Sequence, residues 1–185
     1  MRLTLTCILC LFGTLLAAQH HEAKPTQSPE NHVVHSHHMI QLMLGHTYIP
    51  DGRNADGEKE FLVLASWGLN YNYSFNGRWV LGLHTDMIID KFEIELEHDM
   101  IVAERSRPIA VALMGGYKTK SPFTFLIGGG VEFEHNKNLG FVRLGVEPGW
   151  HFGDGKWEVS VVVEYEIKFN HYNSSILGIG IARVF

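Results

Sequence analysis

The sequence predicts an all-β fold, an eight-stranded antiparallel up-and-down barrel. Apolar residues fall on every second position from Met39 to the C-terminus, which is the period of a β-strand. No ten-residue stretch carries apolar residues at the three-and-four spacing of an amphipathic helix. Turn-forming pairs such as Asn76-Gly77 and Asp154-Gly155 separate the alternating runs, and the chain contains 19 glycines.

The first 18 residues resemble a cleaved secretory signal. Arg2 precedes an apolar run that ends at the small residues Ala17 and Ala18. This run is shorter than the roughly 20 apolar residues that a membrane-spanning helix requires. Cys7 and Cys10 both lie within the signal, so we expect a mature chain without disulfide bonds.

Residues 19–37 predict a flexible periplasmic tail that precedes a barrel at 38–185. The tail is polar, rich in histidine and contains two prolines. His35, His37 and His38 are weak candidates for a zinc or copper site. We favour a disordered leader, because no cysteine or fixed carboxylate completes a coordination shell. The sequence therefore predicts no metal site and no cofactor.

Eight strands follow in order, most of them defined by alternation alone. The clearest sets Trp157, Val159 and Val161 against Glu158 and Ser160. The first strand alternates less regularly than the others. The eight runs are 39–49, 61–75, 78–89, 109–117, 123–133, 141–152, 156–169 and 177–185.

The composition of the two faces predicts which one points outward. The more polar face mixes Gly, Ala, Ser and Asn with scattered charges, whereas a water-exposed sheet would carry Lys and Glu on every strand. The apolar face is nearly free of charge, and its aromatic residues cluster near the strand ends, as in the interfacial girdles of membrane barrels. We therefore expect a transmembrane β-barrel with a polar, filled lumen. Aromatic residues mark one end at Tyr73, Phe75, Trp79, Tyr117, Phe123, Trp150, Phe152, Trp157 and Phe185, and the other at Tyr48, Phe61, Phe133 and Phe169.

Connection lengths predict the orientation of the barrel. The connections around Asn76-Gly77, Lys120-Ser121-Pro122 and Asp154-Gly155 are short, while those after odd-numbered strands include two long ones. Short periplasmic turns and longer extracellular loops are usual in membrane barrels, so we expect both termini in the periplasm.

The signal, the eight amphipathic strands and the closing strand LGIGIARVF resemble the small eight-stranded outer-membrane barrels typified by the OmpA membrane domain and OmpX. This resemblance implies a monomer in the outer membrane of a Gram-negative bacterium, in contact with outer-membrane lipids. It also implies that Gly178, Gly180 and Phe185 belong to a signal for the barrel assembly machinery. Arg183 departs from the family pattern, although an arginine near an interface can extend toward water.

Ten charged or titratable residues are predicted to point into the lumen. Asp154-Gly155 as a two-residue turn places Arg143 opposite Glu166 and His151 opposite Glu158. We interpret the set as an internal salt-bridge network that fills the barrel; a proton or ion path and a catalytic acid-base set are alternatives. The residues are His84, Asp86, Glu132, Arg143, Glu147, His151, Glu158, Glu164, Glu166 and Lys168.

The functional hypothesis is a structural or surface-interaction role, with extracellular loops as binding elements. Residues 91–107 alternate Phe92 and Ile94 with glutamates, which predicts an acidic hairpin that projects from the membrane and pairs with an extracellular protein partner; a solvated loop is the alternative. A lipid-modifying hydrolase and a small solute or ion channel are further alternatives. We expect no enzyme activity, because Ser66 and Ser160 point inward. A net charge of −5 without a basic stripe excludes nucleic acid as a partner.

Overall fold

A computed structural model describes residues 36–53, 58–95, 102–135, 137–169 and 171–185 of the chain. The predicted signal and nearly all of the predicted tail, including His35, lie outside these ranges. No helix within them is long and apolar enough to cross a bilayer. The strands are β1 (His37–Arg53), β2 (Lys59–Phe75), β3 (Trp79–Ile88), β4 (Lys91–Glu95), β5 (Val102–Ser106), β6 (Ile109–Lys118), β7 (Phe123–Phe133), β8 (Leu139–Phe152), β9 (Trp157–Lys168) and β10 (Asn173–Val184).

Eight of these strands close into an antiparallel barrel, as predicted. Their order is β1-β2-β3-β6-β7-β8-β9-β10, and β10 pairs with β1 from Met39 opposite Val184 to Tyr48 opposite Ser175. Closure gives the first and last strands partners for their backbone amides and carbonyls. A sheet that crosses hydrocarbon needs such partners, because lipid supplies no hydrogen bonds.

The apolar face of the barrel points outward. On β9, Val159 and Val163 are 39% and 46% exposed, whereas Ser160 and Val162 between them are 1% and 0% exposed. On β10, Ile179 is 64% exposed beside buried Gly180. This confirms the predicted orientation of the two faces, with the nearly charge-free apolar set outside and the more polar set, which includes Val162, in the lumen.

Exposed aromatic residues lie at both ends of the barrel, as the girdle pattern predicts. At the end with the short turns, Trp79 packs edge to face on Tyr117 with ring centroids 5.2 Å apart. Arg183 places its guanidinium 5.0 Å from the ring centre of Trp157 at the same end. The aromatic surface accommodates this charge through a cation–π contact, which explains the departure from the family pattern.

The short turns set the register of their hairpins. Asp154 and Gly155 both have positive φ, 57° and 75°, as a two-residue type I′ turn requires, and Phe152 lies opposite Trp157. Phe75 pairs with Trp79, so the connection at Asn76-Gly77 is a three-residue loop and not a two-residue turn. Gly77 there has a φ of 61°.

Strands β4 and β5 form a hairpin that the sequence predicted only in part. The hairpin does not project freely, because β4 pairs with the end of β1, Gly52 opposite Ile94. Phe92 and Ile94 are buried, in a cluster with Ile49, Ile88, Leu139 and Tyr172. The alternation of apolar residues and glutamates therefore turns the apolar side of the hairpin toward the rim of the barrel.

Glycine at position 130 allows the close approach of two strands inside the barrel. A Cβ there would overlap the carbonyl oxygen of Val111 on β6 and would lie 2.8 Å from the Cα of Ala112. The neighbouring Gly129 faces outward, and a Cβ at that position would come no closer than 3.4 Å to another atom.

We predict that Gly130→Ala destabilises the barrel by about 1–3 kcal/mol, because the added methyl overlaps backbone that cannot move aside. Gly129→Ala is the matched control and should change stability by less than about 0.5 kcal/mol. The measurement is the urea midpoint of both variants folded in detergent. Equal midpoints would contradict the close packing of β6 and β7.

Candidate functional site in the lumen

Arg143 lies at the centre of the lumen network. Its side chain is 1% exposed, and its Nε donates a hydrogen bond to Glu166 Oε1 at 2.9 Å. A terminal nitrogen bonds both Asp86 on β3 and Glu166 on β9, and Nη1 lies 3.3 Å from Glu164 Oε2. The planar guanidinium can serve three carboxylates at once because its donors point in different directions. The turn at Asp154-Gly155 creates this meeting by setting Arg143 opposite Glu166.

A second cation extends the network along the barrel. Lys168 Nζ lies 2.6 Å from Glu166 Oε2 and 3.3 Å from Glu132 Oε2. It also donates to Ser174 Oγ at 2.7 Å, and Ser174 donates in turn to Glu166. Phe141 lies beneath both cations, 5.1 Å from the guanidinium carbon of Arg143. Charge and hydrogen bonds therefore continue from β3 to β7 across the lumen.

The β4–β5 hairpin enters this network through Arg105. The guanidinium of Arg105 bonds Glu132 on β7 and donates to the Lys137 carbonyl at 2.7 Å. Tyr172 donates its hydroxyl to Glu132, at 2.9 and 2.8 Å from the two oxygens. Burial, together with the charge of Glu132, raises the pKa of Tyr172 well above its usual value, so this phenol remains a donor.

A second cluster in the lumen consists of three buried residues, His84, Glu147 and Glu164. His84 Nε2 lies 3.0 Å from Asn72 Oδ1, and Nδ1 lies 3.4 Å from Glu164 Oε1. Glu147 is 5% exposed, and its Oε1 has no hydrogen-bond partner. One ligand atom from each of the three residues lies within 4.8 Å of the others.

The structure places nine of the ten sequence-predicted residues in the interior. The tenth, His151, is 48% exposed and lies 3.1 Å from Glu158, the partner that the turn register predicts. Arg143 joins Asp86, Glu164 and Glu166, whereas Glu147 makes no ion pair with Arg143 or Lys168. The buried nine are His84, Asp86, Glu132, Arg143, Glu147, Glu158, Glu164, Glu166 and Lys168.

Sequence reasoning missed several polar residues of the interior. Asn70 donates to Gln41, and Gln41 donates to Ser160 at 2.9 Å. Strand parity alone could have identified Gln41, Asn70 and Asn72, because all three lie on the inner face of predicted strands. Arg105 offered no such signal, since its position depends on how the hairpin packs against the rim.

Ser66 and Ser160, the two serines considered for the hydrolase alternative, point into the lumen as predicted. Both are buried, at 3% and 1% exposure. Ser174 lies in β10 and is bonded to Lys168 and Glu166. These hydroxyls are therefore held within the polar interior and not at a lipid-facing rim.

The remaining predicted sites lie at the two ends of the chain. Gly178 and Gly180 face inward on β10, and Phe185 is 66% exposed. Their role as an assembly signal stays a prediction. Two of the histidine candidates, His37 and His38, open β1, and His38 Nδ1 lies 2.7 Å from the Tyr71 hydroxyl. His37 thus belongs to the barrel and not to the tail.

The comparisons with known proteins bear on the fold. No protein-family model and no curated protein matches the chain. Among solved structures, the attachment invasion locus protein Ail of Yersinia pestis is 13% identical with a TM-score of 0.51, and the match covers 81% of this chain and 99% of Ail. Neisserial surface protein A is 8% identical with a TM-score of 0.52, over 79% and 96% of the two chains.

These likenesses agree with the geometry and show the same fold. A closed eight-stranded barrel with an apolar outer face and a polar, filled interior has the fold of the small outer-membrane β-barrels. Identities this low show the shared fold alone, so the function must be argued from the residues of this chain.

We predict that Arg143→Ala lowers the free energy of unfolding by about 3–5 kcal/mol, because it leaves Asp86 and Glu166 buried without their common partner. Lys91→Ala is the control, since Lys91 pairs with Glu104 at 3.5 Å on an exposed surface, and it should cost less than about 1 kcal/mol. Denaturant unfolding in detergent measures both. An unchanged midpoint for Arg143→Ala would contradict the central role of this residue.

Proposed function

We propose that the protein is an integral outer-membrane barrel with a surface-interaction role, and that the β4–β5 hairpin within residues 91–107 contacts an extracellular protein partner. Both termini lie in the periplasm in this proposal, outer-membrane lipids surround the barrel, and the C-terminal strand engages the assembly machinery. The exposed aliphatic belt supports the membrane location. The packing of the hairpin carries the interaction role.

One face of the hairpin packs against the barrel, and the opposite face is exposed. Phe92 lies opposite Arg105, and both are buried against the rim. Glu93 lies opposite Glu104, and both side chains are exposed, as is Lys91. An anchored hairpin with a charged outer face is a preformed binding element, because ordering it costs no further entropy on association.

The outer face contains an unfavourable pair that a partner could relieve. Glu93 and Glu104 stand directly across the hairpin from each other, and like charges in this position destabilise a sheet. Within the described residues, β5 has a ladder neighbour only on the β4 side. A basic segment that adds a strand along β5 would satisfy both the open edge and the paired carboxylates.

The filled interior argues against the channel alternative. Arg143, Lys168 and their carboxylate partners are buried in the lumen, and the apolar cluster around Phe92 lies near the rim. A conducting path needs an open, water-filled interior, which eight-stranded barrels rarely leave. The lipid-modifying alternative is no better supported, since Ser66, Ser160 and Ser174 are buried in the lumen.

We predict that a photo-reactive amino acid at position 93 of the full-length protein crosslinks an extracellular protein on living cells, whereas one at position 120 does not. Lys120 is the control because it is exposed in a short turn at the opposite end of the barrel. Replacing both glutamates, with Glu93→Gln and Glu104→Gln, should reduce crosslinking from a third exposed site, position 91. Equal crosslinking from 93 and 120 would contradict the proposal.

We also predict no ion conductance when the purified protein is inserted in planar bilayers, because side chains fill the lumen. The control is a porin of known conductance, reconstituted under the same conditions. Steady single-channel steps from the wild-type barrel would establish the channel alternative instead.

A further inference from the structure

The convergence of His84, Glu147 and Glu164 has the features of a cation site. Among the residues that the structure describes, these three bring their donor atoms within 4.8 Å of one another. His84 Nδ1 and Glu164 Oε1 are 3.4 Å apart, long for a hydrogen bond. The spacing matches a tetrahedral ion instead, since ligand atoms with bonds of about 2.1 Å lie about 3.4 Å apart.

Hydrogen bonding to Asn72 orients the imidazole for this role. Asn72 presents its Oδ1 to His84 Nε2 at 3.0 Å, so Nε2 carries the hydrogen. In the neutral ring, Nδ1 then offers its lone pair toward Glu164. Two acceptors that face each other repel unless a proton or a metal cation lies between them.

Glu147 supplies the independent observation that a ligand belongs here. Its side chain is 95% removed from solvent, yet Oε1 has no hydrogen-bond partner. A buried carboxylate oxygen without a partner is costly, and native proteins seldom keep one without a bound ion, a water or a function. Glu147, the residue with this unpartnered oxygen, is one of the three residues whose ligand atoms converge.

The charge of the interior also calls for a cation. Within the described residues, seven carboxylate side chains are buried, those of Asp86, Glu132, Glu134, Glu147, Glu158, Glu164 and Glu166. Three permanently charged cations are buried with them, Arg105, Arg143 and Lys168, and their ion pairs do not include Glu147. Glu147 therefore has no permanently charged partner among these three cations, and a divalent ion beside it would supply one.

We propose that the lumen binds a single divalent transition-metal ion between His84 Nδ1, Glu147 Oε1 and Glu164 Oε1. One imidazole nitrogen with two carboxylate oxygens favours zinc and its neighbours in the first transition row over calcium or magnesium, which select oxygen ligands alone. Three protein ligands leave a fourth position for water or for a molecule in the lumen.

The surrounding residues hold two of the three ligands in place. Asn72 binds the other nitrogen of His84, and Arg143 Nη1 lies 3.3 Å from the other oxygen of Glu164. Metal ligands are usually fixed by such outer partners, whose loss typically weakens binding about 10- to 100-fold. Arg143 thereby links the metal site to the salt-bridge network.

The test uses the whole chain without its predicted signal, folded in detergent. Bound metal is first removed with a chelator, and the protein is then titrated with Zn²⁺ and with Co²⁺. We expect one tightly held ion per chain and a visible Co²⁺ absorption band of low-symmetry coordination. Glu147→Gln should lower Zn²⁺ affinity by more than about 100-fold, beyond the loss typical of an outer partner, and Asn72→Leu by about 10- to 100-fold.

Two controls separate this site from other sources of binding. Replacing the tail histidines His20, His21, His32 and His35 by Gln should leave the tightly held ion in place. Glu158→Gln removes a buried lumen carboxylate outside the three-residue cluster, and it should likewise retain the ion.

Thermal unfolding distinguishes lost binding from lost folding. In chelator, Glu147→Gln should melt at or above the wild-type temperature, because it removes an unpaired buried charge. Added Zn²⁺ should raise the midpoint of the wild type and not that of the variant. The proposal is overturned if the wild type holds no ion with an intact tail, if Glu147→Gln binds as tightly as the wild type, or if the ion disappears with the tail histidines.

Discussion

Backbone amides and carbonyls that cross hydrocarbon must find their partners within the protein, and in this chain the pairing of β10 with β1 completes that requirement. Closure with eight strands leaves an interior only wide enough for side chains. Large inward side chains such as Arg143 and Phe141 fill this space, and glycines occupy inner positions such as 130, where two strands approach closely. The shape of the lumen follows from this single constraint on hydrogen bonding.

A narrow interior makes each buried charge depend on its neighbours. Arg143 is shared by Asp86, Glu164 and Glu166, so that one guanidinium offsets carboxylates from two strands. Lys168 extends the same principle to Glu132. Buried ion pairs of this kind add little net stability compared with apolar packing, but each member is costly to remove alone. The network therefore contributes to the fold mainly through the cost of leaving any one member buried without its partners.

Local chemistry in the sequence was enough to predict the barrel and the Arg143–Glu166 pair. Alternation defines the faces of each strand, and the turn at Asp154-Gly155 fixes which residues of β8 and β9 face each other. The contact of Arg105 with Glu132 could not be predicted this way, because it requires β4 to pair with β1, far away in the sequence. The convergence of His84, Glu147 and Glu164 could not be predicted either. It joins β3, β8 and β9 through side-chain conformations that strand parity does not determine.

Glu132 connects the surface hairpin to the interior. Arg105 reaches it from β5, Tyr172 donates a hydrogen bond to it, and Lys168 approaches from the network around Glu166. Lifting the hairpin would take Arg105 from a buried carboxylate and expose Phe92, and both changes are unfavourable. The hairpin is thus held in place by the lumen beneath it. In the interaction proposed above, a partner at its outer face would meet strands that are already anchored, so binding would not have to supply the free energy of ordering them.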